Sequence, residues 1–282
     1  MLPMLDFHWL TIPLWQWTVG LLLSFTLLWY IGYRLSNAGI VDVAWGFSFP
    51  LLFWIEMLAG GLPLSPHAWV VGGLLTLAQG RLGWYLLLRF FHEHPQEDGR
   101  YSKFRCEWTS QYGSGIAEWC MWGLFLLQGA LILVLMLPLW WASKNPEALS
   151  LFDWAALGIG LGGMALETIA DTQLKFFKQE ARKTSSPHSI CQTGLWRWSR
   201  HPNYLGQWLL WVAYGLLAIN HHNAWVFVYA PLLMGYFLTY MTGIKLTEDH
   251  MLATRGEPYR QYQERTAPFI PGLQWPNFTP KS

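Results

Sequence analysis

Seven stretches of mostly apolar residues follow one another along this chain, and most are long enough to cross about 30 Å of hydrocarbon as a helix. They run over Leu14–Tyr33, Val43–Gly60, Ala68–Phe91, Ala117–Trp141, Leu151–Thr172, Leu205–Asn220 and Ala224–Ile244. The fifth carries carboxylates and the sixth is short. Composition agrees with the runs: 53% of the 282 residues are hydrophobic and only 12% are charged. A soluble domain carries about 25% charged residues, and half of that cannot solvate the outside of a globule this size. The expectation is an all-α integral membrane protein with about seven transmembrane helices. The 18 Lys and Arg against 17 Asp and Glu leave a net charge of +1, so no bulk field recruits nucleic acid. Three cysteines make no disulfide framework. The N-terminus lacks the basic region and small-residue cleavage site of a signal peptide, so the first span is expected to stay.

Basic residues set the orientation, because Lys and Arg remain on the cytoplasmic side during insertion. Taking the segments between spans alternately, one set holds a single cation, Lys144. The other set holds all the rest except Arg81, which lies within the third run. This predicts an N-terminus outside and a C-terminus in the cytoplasm. Cys106, Cys120 and Cys191 then fall at or near the reducing side. No repeat, low-complexity tract or linker marks a second domain, so residues 1–282 read as one transmembrane domain. Its polar content gathers in Arg89–Glu118, Thr172–Tyr204 and the tail from Lys245.

Ionisable residues within a bilayer are costly, so each invites a functional reading. Asp42 opens the second span beside Trp45, and Arg81 lies midway along the third with Gln79 beside it and Tyr85 one turn on. An Asp42–Arg81 ion pair locking two helices is one reading, and a polar pocket facing a substrate is the other; the two are compatible. At the end of the fifth span, Glu167, Asp171, Leu174 and Lys178 recur at four and three residues, which puts two carboxylates and a lysine on one helix face. Such a face suits the hydroxyls of a ribose with a phosphate beyond. The plain alternative is an Asp171–Lys175 pair on a solvated helix end.

The stretch Trp198-Ser-Arg200-His201-Pro202-Asn203-Tyr204-Leu-Gly206-Gln207 places Pro at the first position of a helix. The free N–H groups of that helix start, next to Arg200 and His201, read as an anion site. An ordinary helix start behind a positive-inside anchor is the alternative. Further on come Glu248, Asp249 and His250, then Gly256 as a helix stop. Tyr259 and Tyr262 either lay their rings over a nucleotide base or cap the bundle as interfacial aromatics. The histidine pairs lack companions at metal-ligand spacing, so no metal is expected. No Gly-x-Gly-x-x-Gly or P-loop occurs.

Gly194-Leu-Trp-Arg-Trp-Ser-Arg-His-Pro-Asn-Tyr-Leu-Gly206 resembles the signature of the steroid 5α-reductase C-terminal domain superfamily, most closely its bacterial branch known as DUF1295. The likeness runs from about Asp42 to Pro271, with residues 117–275 matching the cofactor-binding region. It includes Glu97-Asp98-Gly-Arg100-Tyr101 and Tyr259-Arg-Gln-Tyr262. The resemblance implies NADPH held in the cytoplasmic half of a bacterial inner membrane, and a lipid-like or steroid-like enone entering from the bilayer. The positions matching its cofactor contacts are Asp171, Lys178, His188, Asn203, Tyr204, Glu248 and Tyr259. Glu167 stands where the steroid reductases usually carry Asn, and Gln207 where they carry Glu. At the substrate end Ala78 falls near their ketone-binding Tyr. This leaves Asp42, Gln79, Arg81 and Tyr85 as the nearest polar groups, with Asp42, Arg81 and Tyr85 as the catalytic candidates. The same Arg-His-Pro element resembles the isoprenylcysteine carboxyl methyltransferases, which implies S-adenosylmethionine as the alternative cofactor. A non-catalytic lipid-binding protein is the third reading, and it leaves the polar helix faces unexplained.

Overall fold

The computed structural model describes residues 7–61, 63–183, 189–221, 224–241 and 243–273. Regular structure among them is helical, with one isolated bridge between Ser199 and Ala267. Among the described residues, four segments are long and apolar enough to cross a membrane: Leu14–Leu35, Ile40–Ala59, Ser114–Ser143 and Trp225–Arg255. The chain clusters into two compact units. One holds Met1–Phe152 with Leu217–Phe227, the other Asp153–Leu216 with Val228–Ser282.

The first unit is built from α1 (Leu14–Leu35), α2 (Ile40–Ala59), α3 (Pro66–Glu93), α4 (Gly99–Tyr112) and α5 (Ser114–Ser143). Ser65 starts α3 by accepting a hydrogen bond from Ala68 N at 3.0 Å, with Pro66 behind it. Where α2 meets α3 there is no room for side chains: a Cβ on Gly46 would lie 2.5 Å from Gly83 Cα. Phe49, Phe53, Leu75, Phe125 and Trp140 are among the largest fully buried side chains of this unit. Glu56, on the second apolar run, is fully buried. It accepts hydrogen bonds from Thr11 N (2.6 Å), Ile12 N (3.1 Å) and Trp17 Nε1 (3.2 Å), and Lys144 Nζ lies at 3.4 Å. The carboxylate thus ties the segment before α1 onto α2.

The second unit contains most of α6 (Leu151–Lys183) and α7 (Pro202–Asn220), with α8 (Tyr229–Tyr236), α9 (Ile244–Arg255) and α10 (Glu257–Arg265). The buried residues of α6 are Asp153, Ala156, Gly160, Gly163, Glu167 and Ala170, alternating at three and four positions. That small-residue stripe lets α7 come close. A Cβ on Gly206 would stand 2.5 Å from Gly163 O and 2.6 Å from Glu167 N. Pro202 does open α7, and Gly256 ends α9 at φ +60°. The last apolar run is not one regular helix. After α8 it widens into a π-helical turn at Phe237–Met241 before α9 begins.

Candidate functional site

The glycine contact between α6 and α7 decides which side chains meet. One turn toward the helix start from Gly206, Asn203 Nδ2 donates to Asp171 Oδ1 at 3.0 Å. Asn203 Oδ1 is buried and makes no hydrogen bond. Glu167 lies a turn deeper on α6 and is buried, and Gln207 is buried on the same side of α7. Tyr214 lies deeper again and is fully buried. Glu167, Asp171, Asn203 and Gln207, all singled out in the sequence, therefore lie in one strip along the α6–α7 contact. Lys178 and Asp249 are exposed, and His188 lies outside the described residues.

Arg200 sits in a second knot and is itself buried. Its Nε donates to Glu248 Oε1 at 2.6 Å and NH2 to Oε2 at 3.1 Å. NH1 donates to the carbonyls of Gln263 (2.8 Å) and Thr266. Four of its five N–H groups are thus engaged by protein. The sequence reading gave this guanidinium to a ligand anion; its geometry instead joins α9 to the start of α7 and the end of α10. His201 Nε2 lies 3.1 Å from Glu248 Oε1, and the His201 ring stacks on Tyr204 at 5.3 Å. Burial pulls the His201 imidazole below its usual pKa, even against the pull of Glu248. The ring is therefore neutral at neutral pH.

Tyr259 and Tyr262 are buried, with rings 5.9 Å apart in an edge arrangement, and the Tyr262 hydroxyl donates to Trp196 O. Both rings are thus enclosed by protein in this structure. Trp198 is 64% exposed and carries Arg197 over its ring.

In the first unit, Asp42 is held by partners other than Arg81, its partner in one of the two readings of the sequence. Arg100 NH2 reaches Asp42 Oδ2 at 2.6 Å, Tyr101 Oη donates to Oδ1 at 2.6 Å, and Arg89 stands 3.9 Å away. Arg89 falls two turns after Arg81 on α3. Asp98 caps α4 by accepting from Arg100 N at 3.0 Å and also holds Arg89 at 3.0 Å. Burial would raise the Asp98 carboxyl pKa, but Arg100 and Arg89 bring it below the ordinary value. Burial and the Asp42 charge push the Tyr101 phenol well up, so it stays a donor. Glu97 accepts from Ala38 N at 2.9 Å and pairs with Arg105 at 3.1 Å. Tyr85 is exposed and Trp45 half-buried. Gln79 is different: it is fully buried and neither its Oε1 nor its Nε2 has a hydrogen-bond partner. Glu56 and Arg89 were not singled out in the sequence, and Tyr101 only as part of the Glu97–Tyr101 motif. An ionisable residue inside an apolar run was the signal available for Glu56. Among the described residues no group of three metal-ligating side chains occurs.

Fold and site together describe a helical membrane protein that keeps its polar side chains in a few closely knit clusters. The family model described as "Protein of unknown function (DUF1295)" matches residues 28–266, and the chain belongs to that family. A similar protein is an uncharacterised one from Schizosaccharomyces pombe, 30% identical over 302 residues that span 95% of this chain and 82% of the yeast one. No solved structure matches.

Proposed function

We propose that the chain is a membrane-embedded, NADPH-dependent reductase of an activated carbon–carbon double bond in a lipid-like or steroid-like enone. It crosses the membrane seven times, with the N-terminus outside and the cofactor site facing the cytoplasm; in a bacterial cell that is the inner membrane. The four long apolar segments support part of this topology. The crowding of Lys and Arg into alternate segments supports the rest. The likeness of Gly194–Gly206 to the steroid 5α-reductase superfamily supports the reaction class.

The observation that carries the reading is the Asp171–Asn203 pair beside a buried Asn203 Oδ1 that still needs a donor. A carboxylate and an amide acceptor side by side suit the hydroxyls and carboxamide of a dinucleotide, with Glu167 and Gln207 extending the strip. The phosphates fall to Lys178 and the N–H groups at the start of α7, because Arg200 is engaged by Glu248. Asp171, Asn203, Glu167 and Gln207 would hold the nicotinamide cofactor, which when bound would supply the hydride needed to reduce the double bond of the enone. The chain's own part is to orient both partners and to exclude water.

The test is the nucleotide held by the full chain purified in mild detergent. NADP(H) released on denaturation, with binding lost in Asp171→Ala and Asn203→Ala of unchanged melting temperature, is the expected result. Retained binding in both variants would sink the assignment. One observation favours a second reading, an S-adenosylmethionine-dependent methyltransferase: with Arg200 engaged, the basic cluster offered to phosphates is smaller than the sequence suggests. Release of S-adenosylmethionine or its demethylated product would decide for it.

A further inference from the structure

We propose that Tyr214 is the side chain that hydrogen-bonds the carbonyl oxygen of the lipid substrate, with Glu167 beside it. This rests on the reductase reading and assigns the donor which that reading needs.

The Tyr214 side chain is fully buried, yet its hydroxyl has no hydrogen-bond partner. Leaving a buried hydroxyl unsatisfied costs about 1–3 kcal/mol, and native proteins seldom accept that without a use for the group. Phenylalanine would fill the same volume at no such cost. The position is informative too. Asn203, Gln207 and Tyr214 are spaced four and seven apart, so they lie along one side of α7. That side runs past Gly163 and Glu167 of α6, where the two backbones are in contact. Tyr214 stands about 18 Å along α7 from Pro202. Helical side chains lean toward the N-terminus, which brings the phenol back along α7 toward the level of Glu167 on α6. The Trp211 ring, 5.5 Å away and nearly perpendicular, packs edge-to-face against it.

The strip thus has two ends of different character. At the α7 start, Asp171 and Asn203 form a polar pair suited to a water-soluble cofactor. At the deep end, one fully buried O–H donor has no partner, which suits a ligand that is apolar except for an oxygen acceptor. A ketone on a hydrocarbon frame has that chemistry. As the double bond is reduced, negative charge grows on the oxygen, and a donor in a dry site stabilises it most at that point. The earlier candidates are poorly placed for the task. Asp42 is held by Arg100 and Tyr101, and Tyr85 is exposed.

The test uses the full chain in detergent and two probes, cholest-4-en-3-one and a straight-chain enone of similar length, each carbonyl-labelled with carbon-13. Binding is read by tryptophan fluorescence and the bound carbonyl by infrared spectroscopy, both without nucleotide. In the wild type at least one probe binds with its carbonyl band moved to lower frequency. In Tyr214→Phe the shift is lost and affinity falls about tenfold, while the melting temperature is equal or higher and NADP+ binding is unchanged. In Glu167→Gln the band moves again, because the field on the phenol has changed. An unchanged band and affinity in both variants overturn the proposal, as does failure of the wild type to bind either probe. Nucleotide binding is scored separately: a shifted carbonyl without any NADP(H) binding sinks the reductase reading alone, and NADP(H) binding with an unshifted carbonyl sinks this one alone.

Discussion

Arg200 grips Glu248 at two points, Nε to Oε1 at 2.6 Å and NH2 to Oε2 at 3.1 Å, with the arginine side chain 4% and the glutamate 13% exposed. A buried pair of this kind is costly to break from one side, because the remaining charge is left without a partner. Arg200→Lys keeps the charge but lacks the planar fork. With hydrogen bonds to Glu248 and to the carbonyls of Gln263 and Thr266 given up, it is expected to lose about 1–3 kcal/mol of stability, seen as a lower melting temperature in detergent. A normal melting temperature with lost nucleotide binding would instead make Arg200 a ligand contact.

Gly206 allows no side chain, since a Cβ would stand 2.5 Å from the carbonyl oxygen of Gly163. Both close atoms belong to the α6 backbone and cannot swing aside. Gly206→Ala is therefore expected to push α7 away from α6 and pull Asn203 off Asp171. The melting temperature falls and nucleotide binding weakens together. Gly162→Ala, where a Cβ meets nothing within 4 Å, is the control and leaves both unchanged.

How far the sequence carried these conclusions depends on separation along the chain. The continuous apolar runs marked α1, α2 and α5 to within a few residues, because burial in lipid needs nothing but length and hydropathy. The start of α7 was legible from Pro202, and the end of α9 from Gly256, because both signals are local. By contrast, Asp42 finds Arg100, 58 positions away, and Arg200 finds Glu248, 48 away. A cation read by itself looks the same whether it waits for a phosphate or already holds a carboxylate. The polar helix α4 went unseen although Asp98 caps its start. It has no apolar run, and its signal was a short one. Asp171 and Asn203 were both noticed for their chemistry, but only the glycine contact between their helices makes them partners.

Gln79 is fully buried on α3 and leaves both polar atoms of its amide without a hydrogen bond. Methionine has nearly the same shape and no such need. Gln79→Met should raise stability by about 1–3 kcal/mol, read as a higher melting temperature. If the glutamine also serves the substrate, the same variant binds the enone probes less tightly. A lower melting temperature would show that the amide is satisfied in the folded protein.

His201 ties the stability of the second unit to pH. Its ring is buried against Tyr204 and faces the Glu248 carboxylate and the Arg200 guanidinium. Burial, the larger effect, holds its pKa below the ordinary value of 6.5. In the unfolded chain the imidazole takes up a proton near that ordinary value, whereas in the fold it does so only at lower pH. The unfolded state therefore binds more protons as pH falls below 6.5. The contribution to stability is complete above that pH and declines below it. Melting temperature followed from about pH 8 to about pH 5 should drop on the acid side in the wild type. His201→Gln can still hydrogen-bond Glu248 but cannot take a proton, so its profile should be flatter over the same range. Two profiles of equal slope would mean that the acid sensitivity arises elsewhere.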